Sequence, residues 1–87
     1  MYLHLGKGAV VRQEDVVAIF DLDVTSQSHW TRSYLAAAEK AGEVVNAAED
    51  LPKSFLVCRE AGGQRVYLSQ MAAATLLKRA EEGLTRG

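Results

Sequence analysis

Along the chain, apolar positions change period several times, and each change marks an element. Tyr2-Leu3-His4-Leu5 alternates with Leu3 and Leu5 on one side, predicting a half-buried strand, and Gly6-Lys7-Gly8 supplies a turn. Val10 and Val11 open a second extended piece. Val16-Val17-Ala18-Ile19-Phe20 is apolar throughout, as in a strand covered on both faces. The spacing then lengthens: Trp30, Tyr34, Ala37, Ala38 and Ala41 recur at helical intervals. Ser26-Gln27-Ser28 stands before them as a helix start and Gly42 after them as a left-handed stop, predicting a helix over 28–41.

Val44-Val45 begins a strand that the polar stretch from Asn46 to Pro52 breaks. Phe55-Leu56-Val57-Cys58 and Val66-Tyr67-Leu68, with Gly62-Gly63 between them, predict a hairpin. Ser69 is the expected N-cap of a last helix with the apolar stripe Ala73, Leu76, Leu77, Ala80 and Leu84, stopped at Gly83. The order β-β-β-α-(β)-β-β-α predicts an α+β fold, one small domain over residues 1–87 without repeat or linker.

A chain of 87 residues can build one modest core, which excludes two-domain enzymes and large cofactor folds. The 48% apolar and 24% charged residues exclude wholesale disorder. Cys58 is the single cysteine, so neither an internal disulfide nor a zinc cluster can form from it. Apolar runs stop at five residues, where a membrane span needs about twenty, and the expected setting is the cytoplasm with no membrane contact. The net charge of −1 conceals an asymmetry: residues 1–50 hold four cations against eight carboxylates, and residues 51–87 hold six against three. Such a split suits either two halves folded on each other or a basic face meeting nucleic acid or the acidic face of a second copy.

Asp21-Leu22-Asp23-Val24-Thr25, at the end of an apolar strand, resembles the nucleophile motif of the haloacid-dehalogenase-type phosphatases. Val24 stands where that family has glycine, and the further lysine and acidic stations need a sheet larger than this chain can form. The expectation is a non-enzyme with no cofactor and no small-molecule substrate. Gly6-Lys7-Gly8 precedes an extended segment, whereas a phosphate cradle needs a helix N-terminus. His4 and His29 are too few for a metal site, and Cys58 fits a small buried hydrophobe.

The ordered set Tyr2-Leu3-His4-Leu5-Gly6, Val16 to Asp21, Pro52 to Val57, Val66-Tyr67-Leu68-Ser69 and Thr75 to Ala80 resembles the small bacterial RemA/RemB regulators of extracellular-matrix genes. The resemblance covers residues 1–80 and is closer to the RemB branch, which shares the Pro52-Lys53-Ser54 turn and the Leu77-Lys78-Arg79-Ala80 ending. It implies a LytTR-like fold, a homo-oligomeric ring, and a cytoplasmic transcription regulator of biofilm genes that binds duplex DNA. In the RemA branch the DNA contacts come from an arginine-rich loop before the central hairpin and an arginine near the first strands. Those positions hold Leu51, Pro52, Ser54 and Asp15 here, which leaves Lys53 as the basic candidate of the loop and Arg12 as a nearby substitute. Arg59 and Arg65 complete the DNA candidates, and Lys78 and Arg79 are the candidates for the interface between copies. The alternative, from a different class, is an oligomeric protein-interaction module that modulates a partner regulator without touching DNA.

Overall fold

The computed structural model describes residues 2–25 and 28–86, with the side chains of residues 24, 25 and 83–86 left aside. The element order is β1 (Tyr2–Gly6), β2 (Ala9–Arg12), a 3-10 turn (Gln13–Asp15), β3 (Val16–Asp21), α1 (Leu22–Thr25), α2 (His29–Lys40), β4 (Val44–Asn46), β5 (Ser54–Glu60), β6 (Gly63–Ser69) and α3 (Ala73–Arg86). β1 and β2 form a two-stranded antiparallel ribbon, and the remaining strands form one sheet in the order β3-β5-β6-β4. Helix and sheet thus mix in one small α+β domain.

The four-stranded sheet separates two apolar layers, because successive residues of a strand face opposite ways. Leu56 and Cys58 of β5 face the ribbon and α3, joining Leu3, Leu5, Val11, Ala47 and Leu76. Phe55 and Val57 face α2, joining Ala38, Val66, Phe20, Tyr34 and Leu35. Phe55, Leu56, Leu5 and Leu76 are fully buried, and each such side chain contributes on the order of 1.5–3 kcal/mol of transfer free energy.

The β5–β6 hairpin forms where the pattern predicts it, with Glu60 opposite Gly63 so that Ala61-Gly62 make the turn. Of the two glycines only Gly63 takes a positive φ, +118°. β4 runs parallel to β6, Val44 opposite Val66, an arrangement reached through the α2 crossover.

Several expectations change. Val16 to Phe20 is not covered on both faces: the register of β3 on β5 slips between Val16 and Ala18, and Val17, the extra residue, is 64% exposed. A bulge of this kind twists an edge strand out of reach of another strand. The buried stripe of α2 is Thr31, Tyr34, Leu35 and Ala38, while Trp30, Ala37 and Ala41 lie outside it. Leu35 and Tyr34 carry more apolar area than two alanines, so they decide which side turns inward. Ser28 is the N-cap, its Oγ accepting from the Thr31 N–H at 3.5 Å; Ser26 and Gln27 lie outside the described residues.

Ser69 does not cap α3. It ends β6 opposite Ser54, and its buried Oγ donates to the Leu5 carbonyl at 2.8 Å and accepts from the Met71 N–H at 3.1 Å. α3 begins four residues later and continues past Gly83 to Arg86, since one helical glycine costs only about 1 kcal/mol and does not by itself end a helix. Leu77 leaves the expected stripe and is 47% exposed; Leu84 is among the side chains left aside.

The Ser69 hydroxyl therefore ties the ribbon to the sheet. Ser69→Ala is expected to lower stability by about 1–3 kcal/mol, because the carbonyl of Leu5 loses a buried donor. Urea unfolding measures this as a lower midpoint at unchanged slope; an unchanged midpoint would remove the tie from the account.

Candidate interaction surfaces

Lys53 stands on the rim where β5 begins, and the backbone on either side fixes it. Its N–H donates to the Ser69 carbonyl at 2.8 Å, and its own carbonyl accepts from the Leu22 N–H at 2.9 Å. The side chain is exposed and carries no ion pair among the described residues. The ribbon's tip reaches the same rim, since a Cβ on Gly6 would lie 2.9 Å from the Ala47 carbonyl oxygen. Lys7, at φ +49° in that tip, is a basic neighbour that sequence reasoning treated only as a turn residue. The rim also bears Asp21, Asp23, Glu49 and Asp50, so carboxylates outnumber the two lysines there.

The residues at the arginine positions of the RemA branch meet different fates. Leu51 is 80% exposed at the loop tip, whereas Ser54 is fully buried with its Oγ donating to the Met71 carbonyl at 2.7 Å. A long cation in place of Ser54 would have to displace that bond. Leu51 thus offers an apolar side chain to solvent at the tip, which a leucine flanked by Asp50 and Pro52 signals only weakly in a sequence.

Arg12, Arg59 and Arg65 do not join Lys53. Arg59 is six positions further along β5, about 20 Å away at the rise of an extended strand. Arg59 pairs with Gln64 and Arg65 with Cys58, and adjacent register pairs face opposite sides, so the two arginines project from opposite faces of the sheet. Arg65 Nε lies 3.7 Å from Glu60 Oε1, and Tyr67 donates its hydroxyl to Glu60 Oε2 at 2.6 Å. Burial and the Glu60 carboxylate push the Tyr67 phenol up to about 12, so it stays a donor. Arg12 Nε binds Glu14 Oε1 at 2.8 Å, and that hydrogen bond, with the charge of Glu14, holds the guanidinium more firmly protonated than usual. The four expected DNA cations are thus spread over two ends and two faces of the domain, two of them already facing carboxylates.

Asp21 and Asp23 do not share a strand face as the phosphatase-like spacing supposed. Asp21 ends β3 and its Oδ1 accepts from the Asp23 N–H at 2.8 Å, so the first carboxylate caps the helical turn that holds the second. Cys58 is buried, and desolvation first, then Glu60 and Asp15, push its thiol up to about 12, far from a reactive thiolate. His4 and His29 lie on separate elements, both exposed, with His29 Nε2 3.5 Å from Ser33 Oγ. No helix among the described residues is long and apolar enough to cross a membrane.

Lys78 and Arg79, the interface candidates, are exposed on α3 beside Leu77. Arg79 Nη1 turns back to Met71 Sδ at 3.7 Å, while Lys78 has no ion pair among the described residues. On the other side of the molecule's chemistry, Trp30 stacks on Tyr34 with ring centroids 5.3 Å apart, and Phe20 bridges Trp30 to the buried Phe55.

Two comparisons bear on this arrangement. The model of the RemA-like family, described as extracellular matrix regulatory protein A-like, matches residues 2–80. The extracellular matrix regulatory protein B of Bacillus subtilis (strain 168) is 35% identical over 81 residues, covering 93% of this chain and 91% of that protein. A match that runs from β1 to the middle of α3 takes in every strand and both longer helices rather than one shared motif, and on that ground the chain belongs to the RemA-like family of extracellular matrix regulatory proteins.

Proposed function

We propose that this protein is a non-enzymatic, cytoplasmic regulator of extracellular-matrix genes that works as a ring-shaped homo-oligomer and associates with duplex DNA. The family supports the regulatory role. The observation that carries the DNA reading is Lys53: an exposed cation with no ion pair among the described residues, on a loop whose backbone is pinned to the sheet on both sides. One pinned lysine per subunit is a weak contact, for each neutralised phosphate releases only one counterion's worth of salt-dependent affinity. Repeated around one assembly, such contacts add through effective concentration. Lys7 strengthens the same rim, while Arg12, Arg59 and Arg65 belong to other surfaces.

Lys53→Glu is expected to weaken retention of duplex across unrelated sequences and to reduce the salt slope by roughly one unit for each subunit in contact. Filter retention of a labelled duplex between about 50 and 200 mM salt measures it. A parent protein that retains no duplex at about 50 mM salt overturns the DNA reading.

Leu51 favours a second reading. An 80% exposed leucine beside Glu49 and Asp50 is the chemistry of a protein contact rather than of a phosphate contact, and suits a module that modulates a partner regulator without touching DNA.

A further inference from the structure

An open cleft of about 470 Å³ lies between the outer side of the β1–β2 ribbon and the β5–β6 turn, lined by Tyr2, Val10, Asp15, Glu60, Gly62 and Tyr67 among others. It is open because Gly62 brings no side chain and because Tyr2 and Val10 sit at outward positions of the ribbon, 63% and 41% exposed. Its carboxylates differ. Glu60 is occupied by the Tyr67 hydroxyl and by Arg65, and the nearby Arg12 is occupied by Glu14. Asp15 is half-buried and makes neither a hydrogen bond nor an ion pair within the described residues, and its charge acts only at a distance on Arg12, which also lines the cleft and is bonded to Glu14. A partly buried carboxylate beside aromatic and aliphatic walls fits a cation carried on an aliphatic stem, which lays its methylenes on the apolar surface and brings its charge to the acid.

The same chain presents such a group elsewhere. Ala74, Leu77 and Lys78 stand at positions i, i+3 and i+4 of α3, one stripe of the helix, and all three are exposed. Leu77 is only half covered within its own domain, at 47% exposure, and Lys78 makes no ion pair among the described residues.

We propose that the Ala74–Leu77–Lys78 stripe of one copy docks in the Tyr2–Val10–Asp15 cleft of a second copy, with the Lys78 ammonium on the Asp15 carboxylate and Leu77 against Tyr2 and Val10. The proposal rests on the homo-oligomeric reading and gives it a contact. Stripe and cleft are unlike patches, so every copy offers one of each, and a contact of this type continues from copy to copy and closes where the rotation permits. Apolar burial by Leu77 supplies most of the attraction, and the charge pair fixes the orientation.

Light scattering after size-exclusion chromatography, on the full chain at micromolar concentration, tests it. Asp15→Lys and Lys78→Asp are each expected to reduce the assembly to the monomer mass, and the two together to restore it. Should Asp15→Lys alter the circular dichroism of the domain, Val10→Glu on the exposed wall of the cleft replaces it, again with loss of assembly expected. An oligomer unmoved by Val10→Glu and Lys78→Asp overturns this contact while leaving the homo-oligomer standing. Single variants that dissociate without rescue in the pair overturn the pairing of Asp15 with Lys78. A monomeric parent overturns the contact and the homo-oligomeric reading together.

Discussion

Replacing Phe55 by alanine is expected to lower the melting temperature by at least about 12 °C. The ring is fully buried near the start of β5, opposite Phe20 on one side and Leu68 on the other. It stacks on Phe20 at a centroid distance of 4.8 Å and an interplanar angle of 18°, and shares its layer with Ala38 of α2. Two strands and a helix therefore lose their common neighbour at once. Truncating a buried phenylalanine costs about 3–5 kcal/mol, against a total of 5–15 kcal/mol for ordinary domains. At about 4–8 °C per kcal/mol for a domain of this size, even the low end gives the stated fall. Calorimetry at one fixed protein concentration reads it, and Val17→Ala, on the exposed bulge, serves as the comparison and should move the midpoint by only a few degrees. A Phe55→Ala protein melting within about 5 °C of the parent would contradict the packing described for this layer.

Gly6→Ala is the second large effect, on the order of 2–4 kcal/mol. Gly6 has φ +118°, where an L side chain is strained, and its new Cβ would lie 2.9 Å from the backbone oxygen of Ala47, itself buried in the layer under the ribbon. Backbone strain accounts for about 1–3 kcal/mol, and overlap with a backbone atom, which cannot swing aside as a side-chain tip does, adds a similar amount. Gly8 separates the two causes, because it also has a positive φ, +75°, but open space around its Cβ position. Urea unfolding of Gly6→Ala and Gly8→Ala should show the former losing clearly more stability. Equal losses would mean that the approach to Ala47 carries no weight. The same approach sets the ribbon tip and Lys7 beside the loop that leads to Lys53.

The interaction surfaces were only partly legible in the residue pattern. The exposed place of Lys53 is legible, because a lysine between Pro52 and Ser54 at the start of an apolar strand has to stand on a rim. Arg12, Arg59 and Arg65 were grouped with it on charge alone, and charge carries no position: strand register sends Arg59 and Arg65 to opposite faces, and Glu14 and Glu60 stand beside two of the three arginines. Leu77 was assigned to the core because helical spacing admits a stripe of three to four positions per two turns, and which edge of that stripe turns inward depends on what the helix meets.

The sequence by itself determined the elements that rest on local physics. Alternation in β1, the glycines around Lys7 and at Gly42, the β5–β6 hairpin and the Ser28 cap are each specified within a few residues, by steric limits on φ, by side-chain period and by donors that must be satisfied. Tertiary structure decided whatever depends on a neighbour distant in the chain. Ser69 fits an N-cap until the Leu5 carbonyl, 64 positions away, takes its hydroxyl. Val16 to Phe20 fits a doubly covered strand until its register on β5 leaves Val17 as an unpaired extra residue. Asp21 and Asp23 share a face only while both belong to one strand, and the bond from the Leu22 N–H to the Lys53 carbonyl lies at the start of the turn that separates them. A hydrogen bond or a register is a choice between competing partners, and only the assembled fold brings those partners within reach.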